Sequence, residues 1–103
     1  MSASRDEERV REDLAQLRAL MALRQEREQA YSNAHMRRED ARRAYVDLVA
    51  RPGGLDPEEH RRTRRLVAQA QAALDAASRA LLEIKREIDL ARLQYDEDHR
   101  SSG

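Results

Sequence analysis

Both prolines and two of the three glycines of this chain stand within one short stretch, RPGGLDP, at residues 51–57. On either side of it, residues 5–50 and 58–100 contain neither proline nor glycine. Because these two residue types are the strongest helix breakers, each side can continue as a single helix, roughly 65 Å long at about 1.5 Å per residue. The sequence therefore predicts two long helices joined by one bend.

The starts of both helices carry capping residues. Asp56 stands before Pro57, a favoured first helical residue, and Glu59 follows at the spacing of a capping box. Ser4 and Glu7 repeat the same spacing near the beginning of the chain. These residues predict where each helix begins.

The bend contains the residues that stop the first helix and reverse the chain. Pro52 disfavours helical geometry at the residue before it, and Gly53 or Gly54 can adopt a positive φ. We therefore expect an all-α, antiparallel two-helix coiled-coil hairpin that forms a single domain over residues 1–103. Its predicted parts are helix 1 at about 4–50, a bend at 51–56, helix 2 at about 57–98 and a short frayed tail.

An unbroken heptad pattern along the second helix predicts its packed face. Large residues alternate mostly with alanine in steps of three and four: Val67, Ala70, Leu74, Ala77, Leu81, Ile84, Ile88, Ala91 and Tyr95. The predicted partners on the first helix are Leu17, Leu20, Tyr31, Ala34, Ala41, Tyr45 and Leu48. If the chain folds back at Gly54, large residues face small ones, as in Tyr31 with Ala77 and Leu74 with Ala34, which favours the hairpin.

Three arginines, Arg24, Arg27 and Arg38, interrupt the packed stripe of the first helix. In one interpretation, their aliphatic stems lie along the seam while the guanidinium groups reach solvent or acids such as Glu83 and Glu87. In the other, they form a polar layer that fixes the register or admits a partner.

Further apolar residues lie off the seam at the end of the hairpin away from the bend. They are Leu14, Met21, Leu23, Leu82, Leu90 and Leu93. A two-helix hairpin cannot cover all of them, which predicts a second interface, most simply with a second copy of the chain in a four-helix arrangement. A different protein partner would satisfy the same residues, and scattered surface leucines are also ordinary in monomers.

Arginines concentrate near the bend and form a predicted basic tip. They are Arg42, Arg43, Arg51, Arg61, Arg62, Arg64 and Arg65. An anionic partner, either an acidic protein or nucleic acid, would fit this end. The zero net charge, the interleaved acids and the scarcity of aromatic residues argue against nucleic acid.

No pattern in the chain predicts an enzyme, a cofactor, a metal site or a small-molecule substrate. His35, His60 and His99 are far apart, and the bend lacks the spacing of a phosphate-binding loop. There is no cysteine, and no apolar run is long enough to span a membrane. The acidic N-terminus predicts a cytoplasmic protein, with leaderless export as an alternative, and arginine as nineteen of the twenty basic residues indicates a GC-rich bacterial or phage genome.

The size and the central bend resemble those of the small exported hairpins of the WXG100 class. The bend lacks that family's Trp-x-Gly motif, and His99 stands where its export signal would place an acid after Tyr95. Similar architectures occur in the stalks of secretion-type ATPases and in coiled-coil factors of RNA polymerase. The function expected from the sequence is that of a dimeric adaptor, assembly or regulatory protein, with a secretion-system hairpin and a factor that binds nucleic acid or the transcription machinery as alternatives.

Overall fold

The computed structural model describes residues 2–101 and contains two helices, α1 (Ser2–Ala50) and α2 (Pro57–Ser101), joined by residues 51–56. Side chains are described for residues 5–98 and for Arg100. No strand occurs within residues 2–101. The all-α helical hairpin and the position of its bend are as predicted.

The outer ends of the two helices extend further than the sequence indicated. α1 begins at Ser2 rather than at residue 4, and α2 continues to Ser101 through residues expected to form a tail. Neither extension contains a proline or glycine that would stop a helix. Ser4 therefore lies inside the first turn of α1, and the side chains of Ser4 and His99 lie outside the described set.

The bend relies on the two adjacent glycines. Gly53 has a φ of 108° and Gly54 a φ of 96°, a region that residues with a Cβ rarely adopt. Just before them, the amide of Arg51 donates a hydrogen bond of 3.3 Å to the carbonyl of Leu48, which closes the last turn of α1. Reversal of the chain thus follows directly from the local sequence.

Asp56 caps the second helix. Its Oδ1 accepts a 3.1 Å hydrogen bond from the amide of Glu58, one of the amides that have no partner within the helix. Glu59, which was expected to complete a capping box, instead accepts a 3.0 Å hydrogen bond from Nη1 of Arg51. The cap is therefore made by one side chain, and Glu59 connects α2 to the end of α1.

The chain divides into two compact units. The bend unit comprises Glu28–Arg79, and the open-end unit comprises Met1–Arg27 with Ala80–Gly103. The core of the bend unit is formed by Ala34, Leu48 and Leu74, which are all buried. Two further contacts join its helices: Nη1 of Arg38 donates to Oε1 of Gln71 at 3.3 Å, and the rings of Tyr45 and His60 are 5.6 Å apart.

The open-end unit packs around two isoleucines of α2. Ile84 and Ile88 are buried, and Leu17 and Leu20 of α1 are half-buried in the same unit. Five large apolar side chains remain exposed in this unit, and five others are exposed in the bend unit.

Candidate protein-binding surface

The seam residues occupy the inward positions of both helices. Every residue predicted for the seam is buried or half-buried, and the buried ones are Ala34, Leu48, Leu74, Ile84 and Ile88. The half-buried ones are Leu17, Leu20, Tyr31, Ala41, Tyr45, Val67, Ala70, Ala77, Leu81, Ala91 and Tyr95. These side chains pack within the hairpin.

The seam extends beyond the residues that the sequence pattern predicted. Val10 and Asp13 on α1, and His60, Thr63 and Asp98 on α2, are also half-buried. The signal that could have found them is the same three-and-four spacing, continued outward from Leu17, Val67 and Tyr95 without regard to polarity. Apart from Val10, these additional seam residues are polar.

The three arginines predicted to interrupt the seam differ in their exposure to solvent. Arg27 is exposed, Arg24 is half-buried, and the side chain of Arg38 is 21% exposed. The guanidinium of Arg38 contacts Gln71 across the seam and also Oε1 of Glu39 at 2.8 Å, while its Nε is buried without a hydrogen-bond partner. Arg38 thus forms a small polar layer in the bend unit.

The contact with Arg38 also affects the ionisation of Glu39. The hydrogen bond from Arg38 holds the pKa of Glu39 below its ordinary value of 4.5, against a smaller opposing effect of burial. The charges of Arg38, His35 and Arg42 act in the same downward direction. Glu39 therefore stays ionised to a lower pH than a free glutamate.

The open-end surface consists of Leu14, Met21, Leu82, Leu90 and Leu93. Their exposed fractions are 37% for Leu14, 49% for Met21, 50% for Leu82, 66% for Leu90 and 60% for Leu93. Leu23, which was predicted to belong to the same surface, is half-buried. All five exposed residues belong to the open-end unit.

The heptad explains this exposure. Leu82, Leu90 and Leu93 lie on the side of α2 turned away from Ile84 and Ile88, so the hairpin cannot reach them. Leu14 and Met21 each directly follow a seam position of α1 and therefore lie along its flank. The exposed residues arise from helical periodicity, and the chain supplies no third helix to cover them within residues 2–101.

The arginines of the basic tip are all exposed. Arg61, Arg62 and Arg65 line a shallow, open groove together with Glu58, on the first turns of α2. Arg51 is engaged by Glu59 at 3.0 Å, which offsets part of the positive charge at the bend.

The structure places the two described histidines in separate contacts. His35 lies 6.4 Å from the ring of Tyr31, and Nε2 of His60 lies 3.4 Å from the hydroxyl of Tyr45. Among the residues with described positions, no three histidine, aspartate or glutamate side chains form a group that could hold a metal ion. Within that same part of the chain, neither helix has a stretch both long and apolar enough to cross a membrane.

The structure is a helical hairpin with five exposed large apolar side chains in its open-end unit. The chain matches no protein-family model, no curated protein and no solved structure. Its function must therefore be argued from its own surfaces.

Proposed function

We propose that this chain is a non-enzymatic adaptor or assembly protein that binds other helices through its open-end surface. The observation that carries the proposal is the exposure of five large apolar side chains, between 37% and 66%, after the two helices have packed together. Exposed apolar side chains of this size are found at many protein interaction sites. The simplest occupant is a second copy of the chain, which would extend two helices to four.

The polar groups of the hairpin also fit a binding role better than a catalytic one. Catalysis by side chains needs several polar groups that converge on one substrate. Here Arg38 is occupied by Gln71 and Glu39, and His60 lies against Tyr45. Helix packing, in contrast, needs only an apolar surface with a polar rim, and the open-end unit has both.

Affinity capture from a lysate of the source organism tests this proposal. The wild-type chain is compared with the double variant Leu14→Gln, Met21→Gln, and with the control Met36→Gln, Val46→Gln. The control residues are 64% and 62% exposed but belong to the bend unit. We expect the open-end variant to lose a bound protein that the wild type and the control retain, with equal helicity of all three by circular dichroism. Retention of the same proteins by all three chains would contradict a role of Leu14 and Met21 in this binding.

A second candidate function is binding of an anionic partner at the basic tip. The observation that favours it is the groove formed by Arg61, Arg62 and Arg65 together with the exposure of the other arginines near the bend. Mobility-shift titrations with DNA, RNA and an acidic polypeptide at low and high salt test it. Binding that falls with salt and is lost when these three arginines are changed to glutamine supports it, and no shift with any of the three probes at low salt excludes it.

A further inference from the structure

The outward face of α2 in the open-end unit carries a row of side chains in which opposite charges stand at equal distances on either side of two leucines. The row follows alternating steps of three and four residues: Glu83, Arg86, Leu90, Leu93, Glu97 and Arg100. All six residues are exposed. They occupy the heptad positions farthest from the packed face, so the row is a second, unused packing stripe on the same helix.

Read in the opposite direction, the row carries the opposite charge at each charged position. When two copies of α2 lie antiparallel with their Leu90 and Leu93 side by side, each charged residue of the row meets an opposite charge. Glu83 faces Arg100 of the second copy, and Arg86 faces Glu97 of the second copy. The twofold symmetry repeats both pairs on the other side, so all four charge pairs are attractive.

We propose that this row is a self-association surface, through which two copies pack α2 against α2 in antiparallel orientation about a twofold axis between Leu90 and Leu93. The inference rests on the proposed binding role of the open-end surface and names the occupant of its Leu90 and Leu93. Self-complementarity is what a closed twofold interface requires, because the same patch serves both partners. A parallel pairing would instead place Arg86 against Arg86 and Glu97 against Glu97, and like charges in such positions oppose association.

Two aspartates beside the row limit the strength of this interface. In the antiparallel register, Asp89 of one copy lies on the same flank as Asp96 of the other, and both residues are exposed. The stretch of α2 from Glu83 to Arg100 is also only about 26 Å long, at about 1.5 Å per residue. We therefore expect a weak dimer with a Kd in the micromolar range, and we expect Asp89→Asn to tighten it several-fold at low salt.

Charge reversal in this row provides a direct test by sedimentation equilibrium of the purified chain at up to about 500 µM. In a dimer of the Arg86→Glu variant, the new glutamate of each copy faces Glu97 of the other, which makes two pairs of like charge. In a dimer of the Glu97→Arg variant, the new arginine of each copy faces Arg86 of the other, with the same result. Each variant should therefore raise the Kd of the dimer at least tenfold. The double variant restores opposite charges and should return the Kd to within about threefold of the wild type. Equal mixing of the two single variants should give a heterodimer, since every pair is then opposite in charge.

Arg92→Glu is the matched control. It makes the same change of charge at an exposed position of α2 that lies off the row, and it should leave the Kd within about twofold of the wild type. A wild-type chain that stays monomeric at 500 µM overturns the inference, as does a dimer that the double variant fails to restore. The lysate experiment tests separately whether Leu14 and Met21 bind a different partner. Failure of the self-association inference is therefore distinguishable from failure of the proposed binding role.

Discussion

Ile88 is only 1% exposed, and its replacement by alanine gives a quantitative test of the packed seam. Ile88→Ala removes three buried carbons at about 0.8 kcal/mol each, which gives about 2.4 kcal/mol of lost burial. A cavity that the neighbouring side chains fill only in part raises the cost to about 3–4 kcal/mol. The higher helix propensity of alanine offsets about 0.4 kcal/mol of this cost, so the expected loss of unfolding free energy is about 3 kcal/mol.

The assay is urea denaturation followed by circular dichroism, with Leu66→Ala as the control. Leu66 lies on the same helix and is 56% exposed, so the same loss of three carbons should cost only about 1 kcal/mol. Equal costs for the two variants would refute the argument, because they would mean that Ile88 is no better shielded from water than Leu66. The measurement is made at low protein concentration, where self-association does not contribute.

The remaining predictions concern the bend and the polar layer of the bend unit. Asp56→Ala removes the cap of α2 and should lower the unfolding free energy by about 1 kcal/mol in the same denaturation assay; an unchanged value would contradict the capping role. Gly54→Ala should cost about 1–2 kcal/mol of unfolding free energy, since its φ of 96° strains any residue with a Cβ. Crowding adds nothing to this cost, because no heavy atom beyond the two neighbouring residues lies within 4 Å of the added carbon. A neutral result would show that the bend has a different backbone. Arg38→Leu should raise the unfolding free energy by about 1 kcal/mol, because it replaces a half-buried guanidinium, whose Nε has no hydrogen-bond partner, with an apolar side chain. A loss of stability would indicate that the contacts with Gln71 and Glu39 contribute more than this substitution gains.

The same Arg38→Leu variant gives a prediction for pH dependence. The pKa of Glu39 is below 4.5 in the folded chain, so the ionised group stabilises the fold above pH 4.5 and this contribution disappears as the pH falls through the lowered pKa. Without Arg38, NMR titration of the Glu39 carboxyl should show its pKa rising towards 4.5. An unchanged pKa would mean that His35 and Arg42 are responsible for the shift.

Much of the fold could be predicted because its determinants are local. Pro52, Gly53 and Gly54 stop and reverse the chain through their own backbone preferences, and the structure ends α1 at Ala50 and starts α2 at Pro57. The heptad of α2 likewise places Ile84 and Ile88 inward and Leu90 outward, because helical periodicity depends only on spacing along one chain. The outer ends were less predictable, since polar residues without a breaker are compatible with both helix and coil.

The exposure and the contacts of the candidate surface residues depend partly on details that helical spacing does not determine. Leu23 and Leu14 are both leucines beside the seam, yet Leu23 is half-buried and Leu14 is exposed. The partners of Arg38, which are Glu39 and Gln71, were not indicated by the sequence pattern. These choices depend on side-chain rotamers and on how closely the two helices approach at each level.

The amino-acid sequence by itself therefore determined the two helices, the place of the bend and the residues that face inward, because breakers, caps and heptad spacing act within a few residues of each other. Only the tertiary structure decided which flanking leucine is covered, which groups the guanidinium of Arg38 contacts and that Tyr45 meets His60. These contacts join residues far apart in the chain, and their geometry is set only when one helix packs against the other.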